Sequence, residues 1–177
     1  MLAAPSVGLE QLLAAREQRA ARQSAALAWF GKPLVSITVV TPGPVKDGAL
    51  PRRVLAEALR ALEASLGGRQ WPVMARQVLQ LETGPEALYV VQADAGGLKS
   101  LAIELEDRHP WGRLWDLDVI APGPRILSRK DLGFAARRCL VCEQPAAACG
   151  RSRRHPPEEL SSAIRRLANA DALRSAA

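Results

Sequence analysis

Hydrophobic spacing sets out the frame of this chain. Leu9, Leu12, Leu13, Ala20, Leu27 and Phe30 form an imperfect apolar stripe with no internal Gly or Pro, which predicts a helix over 8–30. Arg16, Arg19 and Gln23 fall together on the other side, a spacing that usually marks a solvated face. The β-branched run 34–41, Leu-Val-Ser-Ile-Thr-Val-Val-Thr, predicts a buried strand. Pro42-Gly43-Pro44-Val45-Lys46-Asp47-Gly48 then breaks regular structure. A helix over 51–66 buries Val54, Leu55, Ala58, Leu59 and Leu62, and Gly67-Gly68 ends it. Strand-like pieces follow at 76–82, 87–92, 99–106 and 114–120, with a short one at 125–128. Gly84-Pro85 and Gly96-Gly97 separate the first three. A final helix spans 157–174, opened by Pro156-Pro157-Glu158-Glu159 and facing inward with Leu160, Ile164 and Leu167. Together these elements predict an α+β fold with a mainly antiparallel sheet and flanking helices, one domain over 1–177.

The stretch His109-Pro110-Trp111-Gly112-Arg113-Leu114-Trp115-Asp116-Leu117-Asp118-Val119 is chemically the most telling. On a strand, Asp116 and Asp118 share a face, because side chains alternate with period two. Adjacent like charges repel, so a folding role explains them poorly. Mg²⁺ bound to a polyphosphate explains them well, since it takes oxygens from one or two carboxylates and from phosphates. Glu104 and Glu106 share a face by the same alternation if 99–106 is a strand. Pairing it with 114–120 would bring four carboxylates together, as nucleotidyl transfer on a palm-like sheet requires. His109, Lys46 and Arg113 could then neutralise a triphosphate. Lys46 also lies between a strand and a helix start, a geometry suited to phosphate, although P-loop spacing is absent.

Composition narrows the partners. The chain has 177 residues and 48% hydrophobic content, enough for a core, and no apolar run approaches a membrane span. The start Met1-Leu2-Ala3-Ala4-Pro5 lacks the pattern of a secretory signal, so a cytoplasmic location is expected. The whole net charge of +6 resides in residues 125–154, where Arg125, Arg129, Lys130, Arg137, Arg138, Arg151, Arg153 and Arg154 face only Asp131 and Glu143. Such a segment attracts nucleic acid, polyphosphate or an acidic protein. Aromatic content of 4% leaves few rings for base stacking, which disfavours nucleic acid.

All three cysteines lie within the basic segment, as Cys139-x2-Cys142-x6-Cys149, with His155 beyond. Three thiols and an imidazole suit tetrahedral Zn²⁺, and the odd count argues against a disulfide framework. The spacing is irregular for a zinc ribbon, and reduced, partly buried thiols are the alternative. Residues 137–155 are thus a possible small Cys/His-rich subregion.

Several stretches together resemble the citrate lyase holo-acyl-carrier-protein synthase family, the apo-citrate lyase phosphoribosyl-dephospho-CoA transferases. They are Arg16-Glu17-x-Arg19-x-x-Arg22-Gln23, Pro33-Leu34-Val35-Ser36, Thr38-Val39-Val40-x-Pro42-Gly43-Pro44-x-Lys46-Asp47 and Ala102-Ile103-Glu104-Leu105-Glu106. His109-Pro110-x-Gly112-Arg113-Leu114-Trp115-Asp116-x-Asp118-Val119, Leu127-Ser128-Arg129 and Arg137-Arg138-Cys139-Leu140-x-Cys142-Glu143-Gln144 continue the likeness. Cys149 and His155 also fall at expected places.

The resemblance implies transfer of the phosphoribosyl-dephospho-CoA group from 2′-(5″-triphosphoribosyl)-3′-dephospho-CoA to a serine of the apo acyl carrier (gamma) subunit of citrate lyase, releasing pyrophosphate. Asp116 and Asp118 would then hold Mg²⁺, with Glu104 or Glu106 completing the set and one carboxylate taking the serine proton. Lys46, His109 and Arg113 would counter the triphosphate charge, with Arg129, Arg137 and Arg138 as helpers. Three rivals stand beside this reading: a related transferase for another acyl carrier, a basic zinc-containing nucleic-acid-binding module, and a non-catalytic chaperone of the lyase.

Overall fold

The structure, a computed structural model, describes residues 5–174. Helix α1 (Leu9–Phe30) precedes strand β1 (Leu34–Val39), helix α2 (Ala49–Gly68), the hairpin β2 (Val73–Leu79) and β3 (Glu86–Val91), and helix α3 (Ala95–Arg108). Strands β4 (Trp115–Ala121) and β5 (Arg125–Leu127) complete the sheet, and helices α4 (Ala146–Ser152) and α5 (Pro157–Arg174) follow. The five strands lie in the order β2-β3-β1-β4-β5, every neighbouring pair antiparallel. The α+β class and antiparallel sheet are as the sequence predicts. From β1 to β4 the chain runs β-α-β-β-α-β, the split arrangement in which two crossovers place both helices on one face.

That face holds the main core. Val54, Leu55, Leu59, Leu62 and Leu66 of α2, with Leu98, Leu101 and Ala102 of α3, pack on Val35, Ile37, Tyr89, Val91, Trp115, Leu117 and Val119 of the sheet. Ile164 and Ala168 of α5 join the same cluster. The opposite face is covered by α1 through a smaller cluster of Leu27, Leu34, Val90 and Ile120. Polar contacts supplement it: Arg19 and Arg22 pair with the buried Glu86, and Gln23 donates to Ser36 Oγ at 2.8 Å. The arginines of α1 are therefore partly committed to the sheet rather than merely solvated.

One element departs from expectation. Residues 99–106 belong to helix α3, not to a strand. Leu98, Leu101, Ala102 and Leu105 recur at helical spacing toward the core, and Asp94 caps the helix by accepting from Gly97 N at 2.8 Å. Gly96 and Gly97 form its first turn rather than a loop, and the Trp71 ring sits 3.4 Å from where a Cβ on Gly97 would stand. On a helix, Glu104 and Glu106 point in different directions, so the expected convergence of four carboxylates does not form.

Glu106 has another task. Strand β5 pairs with β4 only from Val119 to Ala121, so Leu117 has no strand neighbour on that side. Glu106 Oε1 accepts Leu117 N at 2.8 Å, and Lys99 Nζ donates to Leu117 O at 3.2 Å. Two buried side chains of α3 thus finish the ladder where β5 stops.

A candidate active site beside a thiol cluster

Asp116 lies on the α1 face of β4, opposite Thr38 of β1, and Asp118 lies on the same face opposite Ser36. Asp116 faces a cavity of about 960 Å³, which Arg16, Lys46, Arg113 and Arg137 also line. A smaller hollow of about 250 Å³ adjoins it, sharing Arg16, Lys46 and Asp116 and adding Arg19 and Thr38. A carboxylate on a rigid strand is therefore ringed by cations from four segments. The volume is at the upper end of the range typical for small-molecule sites.

Three of these cations, Lys46, Arg113 and Arg137, are held by contacts of their own. Lys46 Nζ donates to Thr41 O at 2.6 Å, and burial together with the charge of Arg16 draws its pKa down. Arg137 donates to Asp116 Oδ1 at 2.5 Å and to the carbonyls of Arg113 and Gly112 at 2.8 and 3.2 Å. Arg113 in turn donates to the carbonyls of Arg138 and Cys139. Asp118 is open to solvent on one side, yet its carboxyl is pushed up by partial loss of water and by the charges of Asp116 and Glu106, against the opposing pull of Lys99 and Arg19. An extra positive charge near the pair would relieve that strain, which suits a divalent cation.

Other expected site residues lie elsewhere. Glu104 is exposed and pairs with Arg69 and Arg108. Glu106 is buried against Leu117 and pairs with Arg129 at 2.6 Å. Arg129 also binds Asp107, so it ties the segment after β5 to α3. His109 follows the end of α3, and does not line the cavity. Its Nε2 lies 3.2 Å from Glu57 Oε1, its Nδ1 accepts from Trp111 N at 3.1 Å, and its ring packs on Trp115 with centroids 4.5 Å apart. Arg138 lines the cavity, while its guanidinium pairs with Glu143 at 2.5 Å. Arg16 was missing from the expected set; its place in the Arg-x2-Arg-x2-Arg spacing of one helix face was the available signal.

Beyond β5 a basic arm folds back on this cavity. Arg137 and Ala146, and Cys139 and Gln144, are bonded main chain to main chain across a tight hairpin. Cys139 and Cys142 lie in that hairpin, Cys149 on α4, and His155 just before α5. Their ligand atoms all lie within 4.8 Å of one another. The Gln144 N–H and His155 lower the pKa of the Cys142 thiol, while burial raises that of Cys149.

Four of the motif stretches meet at this one cavity. Arg16 comes from the first; Val40, Pro42, Gly43 and Lys46 come from the loop after β1; Arg113 and Asp116 come from the approach to β4; and Arg137 to Leu140 come from the arm. The sequence model of the family described as apo-citrate lyase phosphoribosyl-dephospho-CoA transferase matches residues 7–171. The chain belongs to this family. A transferase of that description from Escherichia coli O7:K1 is 43% identical over 164 residues, which cover 93% of this chain and 90% of the relative. One from Shigella flexneri serotype 5b shows the same identity and coverage. The transferase-family match thus takes in the sheet, the cavity and the arm together, rather than the sheet alone.

Proposed function

We propose that this chain attaches the phosphoribosyl-dephospho-CoA group of 2′-(5″-triphosphoribosyl)-3′-dephospho-CoA to a serine of the apo acyl carrier subunit of citrate lyase. Family membership supports the reading. The observation that carries it is the convergence of Asp116 with Arg16, Lys46, Arg113 and Arg137 on one cavity. The serine Oγ attacks the α-phosphorus, the new O–P bond forms as the bond to the β-phosphate oxygen breaks, and pyrophosphate leaves. The serine proton passes to a carboxylate of the Asp116–Asp118 pair.

Asp116 and Asp118 are the residues that would hold Mg²⁺, and the donor set fits: two carboxylates on one strand face, opposite Thr38 and Ser36. Bound there, the ion supplies positive charge for the phosphates. Lys46, Arg16 and Arg113 orient the triphosphate and offset the charge that gathers on the leaving pyrophosphate. Arg137 would exchange its hold on Asp116 for one on phosphate as the donor arrives. The segment 125–154, which carries the net charge of the chain, is suited to speed encounter with an acidic carrier surface. No helix among the described residues is long and apolar enough to cross a membrane, and the cytoplasm is the compartment we assign.

The test is the intact mass of the apo carrier after incubation with this protein, donor and Mg²⁺. The carrier should gain the phosphoribosyl-dephospho-CoA mass, and Asp116→Asn should abolish the gain without unfolding the protein. An unmodified carrier beside a verified donor would overturn the assignment to citrate lyase and direct the search to other acyl carriers.

A further inference from the structure

We infer that Cys139, Cys142, Cys149 and His155 bind one zinc ion that serves as the core of the basic arm. From residue 128 to residue 162 only Cys139 and Cys149 are buried. The arm therefore has no apolar core of its own, and its two best-shielded side chains are both thiols. A segment this short and this charged holds a fixed shape through a crosslink or a metal rather than through hydrophobic burial.

The geometry is that of a closed four-ligand site. Cys142 Sγ lies 3.5 Å from Cys149 Sγ and 3.3 Å from His155 Nε2. Zinc–sulfur and zinc–nitrogen bonds of about 2.3 and 2.0 Å in a tetrahedron place neighbouring ligand atoms about 3.5–3.8 Å apart. Two of the separations already match that spacing, and all four ligand atoms lie within 4.8 Å of one another. Four protein ligands leave no open position, so the ion is structural rather than catalytic.

The surroundings complete the site. Glu159 Oε2 lies 2.9 Å from His155 Nδ1, which fixes the ring with Nε2 turned toward the thiols. Three thiolates, one neutral imidazole and Zn²⁺ sum to a single negative charge, and Arg113, Arg138 and Arg153 line the cavity beside the cluster. Arg113 ties the site to the sheet by donating to the Cys139 carbonyl. Zinc here would fix the position of Arg137, two residues before the first ligand, over Asp116.

The experiment uses the full chain, purified without chelators and passed through gel filtration, with zinc counted by elemental mass spectrometry. One zinc per chain is expected. Replacement by Co²⁺ should give the intense visible bands of a tetrahedral thiolate site. Cys142→Ser and His155→Ala should each lose the metal. Because either variant can misfold, chelation of the wild-type protein is the parallel measurement: removing zinc should expose three thiols to reagent and lower the thermal midpoint. A reduced, folded wild-type protein that neither carries zinc nor gives the cobalt spectrum would overturn the inference. So would a Cys142–Cys149 disulfide in the folded protein. None of these readouts depends on the transfer reaction.

Discussion

Arg137 of the arm is ion-paired with Asp116 of β4, at 2.5 Å, while its other nitrogen holds the carbonyls of Gly112 and Arg113. The arm thus engages the carboxylate that the proposed chemistry needs, while leaving its side chain half exposed. If Asp116 holds Mg²⁺ as proposed, metal and guanidinium would compete for one carboxylate in the absence of the triphosphate donor. Arg137→Ala should therefore bind Mg²⁺ more tightly in the absence of donor, as read by calorimetry. The same variant should turn over about 10²-fold more slowly, because a donor aimed at developing charge is gone. Unchanged turnover with unchanged metal affinity would show that Arg137 only braces the arm.

Glu106 and Glu104 separate a structural carboxylate from a surface one. Glu106 is buried, caps Leu117 N and pairs with Arg129. Glu106→Gln leaves that guanidinium without its best-buried partner and should cost about 3 kcal/mol in chemical denaturation. Glu104→Gln, which breaks only exposed pairs with Arg69 and Arg108, should stay within about 0.5 kcal/mol of wild type. The reverse order would refute the role assigned to Glu106.

Gly112 is required for space rather than for its dihedral freedom. A Cβ there would stand 2.3 Å from Leu105 O and 2.5 Å from Glu106 O, both main-chain atoms of α3. Helical carbonyls do not move aside cheaply, so Gly112→Ala should destabilise the fold by about 3 kcal/mol. It should also slow transfer, since β4 and Asp116 begin a few residues later. Crystallography of a stable Gly112→Ala protein with α3 unmoved would contradict this.

Tyr89 contributes to stability at alkaline pH. Its hydroxyl is buried, accepts from Arg76 and donates to Glu63, and burial pushes its pKa up to about 12. The unfolded phenol ionises near pH 10. The folded state therefore holds the proton longer. This contribution to stability is full below about pH 10 and drains away as pH rises to about 12. Tyr89→Phe should flatten that segment of the stability–pH profile; a parallel profile would remove Tyr89 as its origin.

The patterns that were legible in the sequence are local ones. The helix over 8–30 follows from an uninterrupted stripe, and β1 from a β-branched run. Residues 99–106 mislead because Glu104-Leu105-Glu106 alternates like a strand over three residues, whereas the helical recurrence of Leu98, Leu101, Ala102 and Leu105 needs a longer window. The Gly-Gly pair also imitates a turn, when it is the first turn of a helix against Trp71. Within the site, the shared face of Asp116 and Asp118 is readable from period two. The approach of Arg16, Lys46 and Arg137 to Asp116 is not, because it depends on how α1, the loop after β1 and the arm settle on a sheet whose strand order is non-sequential. The use of Glu106 as a substitute strand neighbour depends on where β5 ends, which no local pattern encodes.

Helix α1 is attached unlike the other helices that cover the sheet. Of its 22 residues only Ala15 and Leu27 are buried, and much of its grip comes from Arg19 and Arg22 on Glu86. It is accordingly the large element with the least apolar adhesion, the kind that detaches in sub-global openings while the rest of a domain stays folded. It also brings Arg16 to the cavity. On the proposed function, an anion gripped between Arg16 and Lys46 would tether that helix, so that occupancy of the site and docking of the N-terminal helix would become one equilibrium. Amide exchange along 9–30 would then report ligand binding at a distance from the ligand itself.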